Sequence, residues 1–530
     1  MELCPPGDAD RARAQKRLAL YRLKKVKQLA PKADPDVIMK QIMGVVYESL
    51  KSFPPRLFNT HTGIVCDRDA LASEFEKSSE YQQLFSSINT YPSDTRIRDT
   101  VLSYFKYVSL SHRWGKEEPL LRHIQDRIIY DMDFKDRDGL LKLQTFCATA
   151  AECGFTWAWS DTCCIDKSST MELAKAVTSM FSWYRRSALT IVYLSDVSES
   201  GTLSNSVWLT RGWTLQELLA PSTVLFYTQE WSLYKDSPNS NHKMDRIVLQ
   251  ELEEATEIPS QMLTDFNPGM DNARSRLQWA SGRHTPEPED MVYSLFGIFN
   301  VFLPIIPGES VEKALGRLLA DIISQSGDIS VLDWVGKASC VHSCFPAGIE
   351  SYEILPSLPP TSYANKLQAP LPDTREFAEA RDNLLNSLST LELPHFTSPR
   401  LWLPCIVYSV SQITSVPQAK TPYRQNHVYK IRAEGLSPID ITLSHELKGS
   451  SSAELPFVLV RPWQAKLFAS SANIGNDVIT MLGQPFSALL LKETSGKHHK
   501  RVASSAPIVA CPLDVASSVF NVKVQTLSVL

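Results

Sequence analysis

The chain has 530 residues, of which 43% are apolar and 21% are charged, and its formal net charge is −4. A chain of this length exceeds what one hydrophobic core holds, so we expect two or three globular domains. The nearly balanced charge excludes a general electrostatic attraction to nucleic acid.

Membrane insertion and secretion are not predicted. The longest apolar run, residues 294–307, is interrupted by Asn300 and Pro304. It is also shorter than the roughly 20 residues that a membrane-spanning helix needs. The segment after Met1 has no apolar signal core, and the ten cysteines have no framework spacing. We therefore predict a cytoplasmic protein with reduced thiols and no transmembrane segment.

The amino-terminal segment, residues 1–52, is basic. Residues 11–32 contain nine Lys or Arg and no Asp or Glu. This pattern predicts a solvated basic helix. A nuclear address around Lys24 and Lys25, or contact with an anionic surface, is the alternative.

Strands and helices alternate between residues 107 and 227. The apolar runs 107–111, 155–160, 189–194 and 223–227 read as buried strands. Helical spacing between them predicts helices over 139–153, 169–185 and 214–220. Continuous apolar strands that alternate with helices indicate a parallel sheet covered on both faces, which is an α/β fold.

Polar residues follow three of these strands: Ser111 and His112, then Asp161, then Ser195 and Asp196. The carboxyl ends of parallel strands meet at one edge of a sheet, where ligands of such folds bind. We therefore assign Ser111, His112 and Asp161 to ligand binding at that edge.

The stretch 206–220 adds three candidates just beyond the third strand. Trp213 and Glu217 are four residues apart, so a helix places them on one face. Arg211 precedes the helix and could hold an anion together with the N–H groups of the first turn. A carboxylate beside an indole is suited to chemistry because apolar contact raises its pKa. The alternative is a core tryptophan and a solvated glutamate.

The remainder of the chain is predicted to be helical and then β-rich. Residues 236–338 form a helical extension, and residues 339–395 a linker with one helix. Residues 396–530 form a β-rich domain, a sandwich or a barrel. Its predicted strands are 401–410, 427–432, 439–443, 457–460, 478–482, 488–491 and 508–511.

Other chemistries have little support. Cys340, His342 and Cys344 lack a second pair at zinc-site spacing, so no metal site is predicted. Cys163 and Cys164 could pair with His112 as nucleophile and base, but adjacent cysteines after a buried strand are more often packing thiols. No phosphate-binding glycine loop or nucleophile elbow is present.

Three blocks together resemble the signature of the fungal heterokaryon-incompatibility (HET) domain: Leu110-Ser-His-Arg-Trp-Gly115, Trp159-Ser-Asp-Thr-Cys-Cys-Ile-Asp-Lys167, and Arg211-Gly-Trp-Thr-Leu-Gln-Glu217. The resemblance covers about residues 54–335 and departs at Lys167, where the family often has Gln. Within it, we bound the HET domain at residues 53–235. The resemblance implies a trigger of cell death in nonself recognition.

The family is thought to be similar in fold to the Toll/interleukin-1 receptor (TIR) domain, a flavodoxin-like parallel sheet. By that resemblance Glu217 is the catalytic residue of an NAD glycohydrolase. Arg211 or His112 would hold the pyrophosphate, and Trp213 would either stack on a ring or support the helix. NAD is then a substrate, and no resident cofactor is implied.

Two hypotheses of function follow. In the first, self-association of the domain switches on NAD cleavage. In the second, the domain is a non-enzymatic signalling module that acts by homotypic assembly, and its signature residues are structural. Both imply self-association and a protein partner for activation. A structural role predicts a buried, paired Glu217, whereas an enzyme needs Glu217 at an open cleft.

Overall fold

The computed structural model describes residues 34–86, 93–133, 138–237, 239–354, 372, 374–397, 399–417, 426–447, 456–463, 474–494, 496–520 and 522–530. The chain divides into two compact units. The first comprises Met1–Ala176, Ser182–Ser200 and Pro221–Asp245, and the second Val177–Phe181, Gly201–Ala220 and Arg246–Leu530. The predicted basic helix at 11–32 lies outside the described residues.

The first unit is built on a mixed six-stranded sheet. Its strands are β1 (Arg56–Asn59), β2 (Ile64–Asp67), β3 (Tyr107–His112), β4 (Trp157–Trp159), β5 (Leu189–Tyr193) and β6 (Val224–Tyr227), in the order β2-β1-β4-β3-β5-β6. β3 to β6 pair in parallel, whereas β1 pairs antiparallel with β2 and β4. The predicted parallel strands are therefore confirmed, and an antiparallel hairpin, which the polar sequence of 53–106 did not reveal, extends the sheet.

Seven helices accompany this sheet among the described residues: α1 (Pro35–Leu50), α2 (Arg68–Lys77), α3 (Ser79–Ser86), α4 (Asp94–Tyr104), α5 (Leu121–Ile124), α6 (Asp138–Glu152) and α7 (Thr170–Arg186), whose residues 177–181 count with the second unit. The hydroxyl of Ser169 accepts the first-turn N–H of Glu172 and so caps α7. The Glu172 carboxylate does not complete a capping box, because it accepts from Arg56 and from the Asp166 N–H.

Burial explains why the parallel strands are continuous apolar runs. All six residues of β3 and all three of β4 are buried. The polar members of these strands find partners inside the sheet, as Ser109 does with Thr190 on β5 at 2.7 Å between hydroxyl oxygens. The Tyr184 hydroxyl on α7 donates to the Leu110 carbonyl. Buried polar groups are tolerated here because they are hydrogen-bonded.

The second unit contains ten helices in its described part: α8 (Thr214–Leu219), α9 (Arg246–Thr256), α10 (Ser260–Thr264), α11 (Ala273–Ser281), α12 (Asp290–Tyr293), α13 (Phe296–Phe299), α14 (Val311–Ser326), α15 (Arg375–Ser389), α16 (Ile474–Leu482) and α17 (Ser517–Phe520). The apolar face of α14 is buried. At Gly297 on α13 a Cβ atom would lie 2.2 Å from the Cβ of Phe181, so only glycine permits this approach.

The carboxyl-terminal part of this unit is β-rich, as predicted. Its strands are β7 (His395–Thr397), β8 (Arg400–Val416), β9 (His427–Ala433), β10 (Ile439–Leu443), β11 (Phe457–Pro462), β12 (Phe486–Ser487), β13 (Leu489–Thr494), β14 (His498–Arg501), β15 (Val509–Ala510) and β16 (Lys523–Val529). The pairings β8–β11–β13–β14–β16–β8 close a ring, as in a small barrel.

One predicted strand in this region is wrong. Residues 478–482 belong to helix α16. Val478, Ile479 and Leu482 are its buried residues, one turn apart on one face. A five-residue apolar run does not separate a strand from a buried helical turn by periodicity.

No helix in the described ranges is long and apolar enough to cross a membrane.

A buried histidine in the first unit predicts loss of stability in acid. The His242 ring is fully buried, its Nδ1 accepts the N–H of Phe226, and burial lowers its pKa from 6.5 to about 4. The native state thus holds His242 neutral, while the unfolded chain binds a proton below about pH 6.5. Between pH 7.5 and 5 this histidine removes up to about 2 kcal/mol of unfolding free energy.

Urea denaturation at both pH values checks this expectation. His242→Gln should flatten the pH dependence relative to wild type. An unchanged slope would show that His242 does not remain neutral in the fold.

Candidate functional site

The carboxyl ends of β3 and β4 bring His112 and Asp161 together in the first unit. β3 ends at His112, and Asp161 follows β4 by two residues. His112 Nε2 lies 3.4 Å from Asp161 Oδ1, and both residues are buried. The convergence that the alternating pattern predicted is present for this pair.

Ser111 is placed differently. It is fully buried in β3 and lies opposite Val192 of β5. Successive side chains of a strand point to opposite faces, so Ser111 shares the face of Ser109 and not that of His112. The structure therefore brings His112 and Asp161 into one cluster and puts Ser111 in the sheet interior.

Four residues that the sequence analysis gave no role complete this cluster. Glu118 Oε1 lies 3.9 Å from His112 Nδ1 and also contacts the Lys142 ammonium. The Trp114 Nε1–H donates to Asp161 Oδ2 at 3.0 Å, and Lys167 Nζ stands 3.3 Å from the centre of the Trp114 ring. Lys167 is the position that departs from the family pattern, which was its only distinguishing signal in the sequence.

Burial and neighbouring charge decide the protonation of the pair. Burial and the Lys142 ammonium lower the pKa of His112, which favours the neutral ring. Burial alone would raise the pKa of Asp161, but contacts with His112, Lys167 and Trp114 outweigh it and lower that pKa. The cluster therefore holds an ionised Asp161 beside a neutral His112.

Several buried polar atoms of the cluster lack a hydrogen bond within the described part of the chain: both ring nitrogens of His112, Asp161 Oδ1 and Lys167 Nζ. A cleft of about 380 Å³ is lined by residues of the 114–123 segment and by Leu140, with Trp114 42% exposed, whereas His112, Asp161 and Lys167 do not line it. Trp114 and Glu118 belong to both the cluster and the cleft, so the cleft is where a ligand could approach this edge of the sheet. Among the described residues there is no group of three or more His, Cys, Asp or Glu side chains that could hold a metal ion.

Arg211, Trp213 and Glu217 belong to the second unit. Glu217 is only 5% exposed. Arg283, which is also buried, is close enough to interact electrostatically with its carboxylate. Burial lowers the pKa of Arg283 to about 10, and the Glu217 carboxylate opposes that fall. Arg283 also donates to the carbonyls of Trp279 and Arg211 and to the Thr214 hydroxyl.

The segment 283–291 holds the rest of this signature block. The Trp213 Nε1–H donates to Asp290 Oδ2 at 3.0 Å, and the Gly212 N–H donates to the His284 carbonyl at 2.9 Å. A Cβ on Gly212 would lie 2.9 Å from the sulfur of Met291. The block 211–217 thus packs against a segment that begins about 70 residues later in the chain, which no local sequence pattern could reveal.

The arrangement bears on the predicted role of Glu217. A carboxylate that is buried beside an arginine meets the expectation for a structural residue more closely than that for a residue at an open cleft. Arg211 uses its main chain to anchor Arg283, and its Nε has no hydrogen-bond partner among the residues described. Helix α8 has only six residues, so its amino terminus does not support the predicted anion-binding site.

Comparison with known proteins finds similarity at the level of sequence. Residues 107–206 match the family described as Heterokaryon incompatibility protein (HET). The chain is 39% identical over 246 residues to the vegetative incompatibility protein HET-E-1 of Podospora anserina. The alignment covers 43% of this chain and 17% of that relative. Both matches support the HET family for this chain. No solved structure matches it.

The proximity of the Glu217 and Arg283 charges predicts a measurable coupling. Arg283→Met removes a buried guanidinium and its hydrogen bonds to Trp279, Arg211 and Thr214, so we expect the unfolding free energy to fall by about 2–4 kcal/mol. The double variant Glu217→Gln/Arg283→Met should lose at least about 1 kcal/mol less than the two single losses combined. Chemical denaturation of the four proteins measures this.

Arg246→Met, at an exposed arginine of α9, is the matched control and should be near neutral. Additivity of the two substitutions within about 0.5 kcal/mol would show that the pair does not interact.

Proposed function

We propose that this chain is a nonself-recognition protein that mediates heterokaryon (vegetative) incompatibility and triggers programmed cell death through its HET region. The observation that carries the proposal is the 39% identity over 246 residues to a vegetative incompatibility protein, together with the HET match at residues 107–206. The chain spans 17% of that relative, so the activity of the whole relative is part of the proposal.

A TIR-like, flavodoxin-like fold for the HET region is part of the same proposal. Its support is the strand order. The four parallel strands lie side by side in the order β4-β3-β5-β6. Numbered from the first of these strands along the chain, this is the order 2-1-3-4. Flavodoxin-like sheets begin with this order. We propose the HET domain at 53–235, followed by the helical extension, linker and β-rich domain with the bounds given above, and we propose that the protein acts in the cytoplasm.

Assembly is the mechanism that the Glu217 environment favours. A buried glutamate beside a buried arginine fixes the packing of the signature block. In this proposal the signature residues are structural, and they stabilise the surface through which two copies of the domain associate. Self-association and an activating protein partner are therefore included in the proposal.

Cleavage of NAD is the second candidate, and the cluster at the carboxyl edge favours it. Asp161, His112 and Lys167 offer acceptors and donors suited to ribose hydroxyls or phosphates, and Trp114 offers an exposed ring for stacking. In this candidate Glu217 stabilises the positive charge that develops as the glycosidic bond breaks. Glu217 would then have to become accessible on activation.

Expression in yeast separates the two candidates. We would measure cellular NAD and viability with the wild-type chain, with Glu217→Gln, and with Glu254→Gln at an exposed glutamate of α9 as control. Assembly predicts that the wild type kills while NAD stays constant. Cleavage predicts that NAD falls before death, and that Glu217→Gln abolishes both effects while Glu254→Gln does not.

Survival with abundant folded wild-type protein would count against a self-sufficient trigger in this chain. Circular dichroism of the purified Glu217→Gln protein is needed, because loss of a buried charge also affects folding.

A further inference from the structure

The cleft that borders the His112 cluster has room for a flat ligand. Its volume is about 380 Å³, and Trp114, Pro119, Leu120 and Leu140 form its apolar walls. An apolar cavity of about 150 Å³ is enough to bind benzene, so a base of two fused rings fits here. All of these residues belong to the first unit.

Trp114 presents an accessible aromatic face to this cleft. It is 42% exposed and lines the cleft. Lys167 Nζ lies 3.3 Å from the centre of the ring, but this nitrogen is fully buried and Lys167 does not line the cleft, so the ammonium covers the inner face. The indole N–H donates to Asp161 Oδ2 at 3.0 Å. A ring held in this way is a preorganised surface for stacking.

Glu118 supplies a hydrogen-bond acceptor in the same cleft. Its Oε1 contacts the Lys142 ammonium and the Gly115 N–H, and it lies 3.9 Å from His112 Nδ1. Its Oε2 has no hydrogen bond within the described residues and is not one of their fully buried polar atoms. Because Glu118 lines the cleft, Oε2 is placed to accept a hydrogen bond from a ligand there.

These two features together select a purine base with an exocyclic amino group. A base stacks its flat face on an exposed aromatic ring, and a glutamate oxygen accepts from an amino group of a base. The charged residues that line the cleft balance each other: Lys116 and Arg122 against Glu117 and Glu118. The cleft therefore does not require a ligand with a net charge.

We propose that this cleft binds an aminopurine base, with its rings on the exposed face of Trp114 and its amino group donating to Glu118 Oε2. The site rests on the proposed binding role of the cluster, but it does not require that the bound molecule be cleaved. For the proposed substrate NAD, it means that the adenine half lies at Trp114.

Isothermal titration calorimetry of the full-length chain with adenosine and inosine tests the site. Inosine is the matched probe because a carbonyl oxygen replaces the amino group of the base. A hydrogen bond to a charged group contributes about tenfold or more in affinity. We therefore expect adenosine to bind at least about tenfold more tightly than inosine, and Glu118→Gln to remove most of that difference. Glu76→Gln, at an exposed glutamate of α2, is the control and should keep it.

Trp114→Leu is the second variant, since it removes the stacking surface. Stacking of a base on an aromatic side chain contributes about fivefold or more, so adenosine should bind at least about fivefold more weakly. Trp114→Phe keeps a flat ring and should retain most of the affinity. Displacement of adenosine by AMP or by NAD would support the site and show which molecule supplies the base. Equal affinity for adenosine and inosine, or undiminished adenosine binding by a folded Trp114→Leu protein, would overturn the proposal.

The titration is independent of the experiment in yeast because it measures no turnover. Tight, selective binding of adenosine would support the site even if cellular NAD stays constant. Cleavage of NAD by a chain that binds adenosine and inosine equally would leave the proposed function in place and remove this site.

Discussion

The contact between His112 and Asp161, 3.4 Å apart, depends on one constraint: β3 and β4 run parallel as neighbours, so their carboxyl ends meet. Every other member of the cluster follows from that pair. Trp114 bonds to Asp161, Lys167 stands over Trp114, and Glu118 with Lys142 faces the other side of His112. A buried carboxylate in such a place is stable only with these partners, because an isolated buried charge costs several kcal/mol.

In the second unit the positive charge of Arg283 lies near the buried Glu217 carboxylate and comes from a segment about 70 residues later in the chain. Asp290 holds Trp213 in the same way. The residues of the third signature block are therefore bound to structure beyond the HET match, which ends at residue 206. The third block is therefore recognisable in the sequence, although its side chains depend on contacts with residues outside it.

The biological process in which the protein acts and the chemistry of its site rest on different observations. The similarity to a vegetative incompatibility protein concerns the biological process, while the chemistry depends on which side chains reach a ligand. The cluster around His112 has buried polar atoms without a hydrogen bond in the described chain and shares Trp114 and Glu118 with a cleft, whereas Glu217 is buried near the charge of Arg283. We therefore propose the cluster as a binding site and Glu217 as a structural residue.

The amino-acid sequence by itself determined the order of β3 to β6 and the helices between them, because continuous apolar runs and helical spacing are local properties of the chain. It also determined that His112 and Asp161 would share one edge, since parallel strands all point the same way. It did not determine that Ser111 faces away from His112, although the alternation of side chains in a strand contains that information. Nor did it distinguish the helix at 478–482 from a strand, since the apolar run is too short for its period to show.

Tertiary structure alone decided the hairpin β1–β2, the places of Lys167 and Glu118, and the approach of Arg283 to Glu217. These features join residues that are distant in sequence, and a charged side chain has the same local signature whether it is solvated or buried beside a partner. A cleft in the second unit, bordered by Asp333, has the same origin. Residues 329–333 and residues between 461 and 489 line it, and these two parts of the chain are more than 100 residues apart in the sequence.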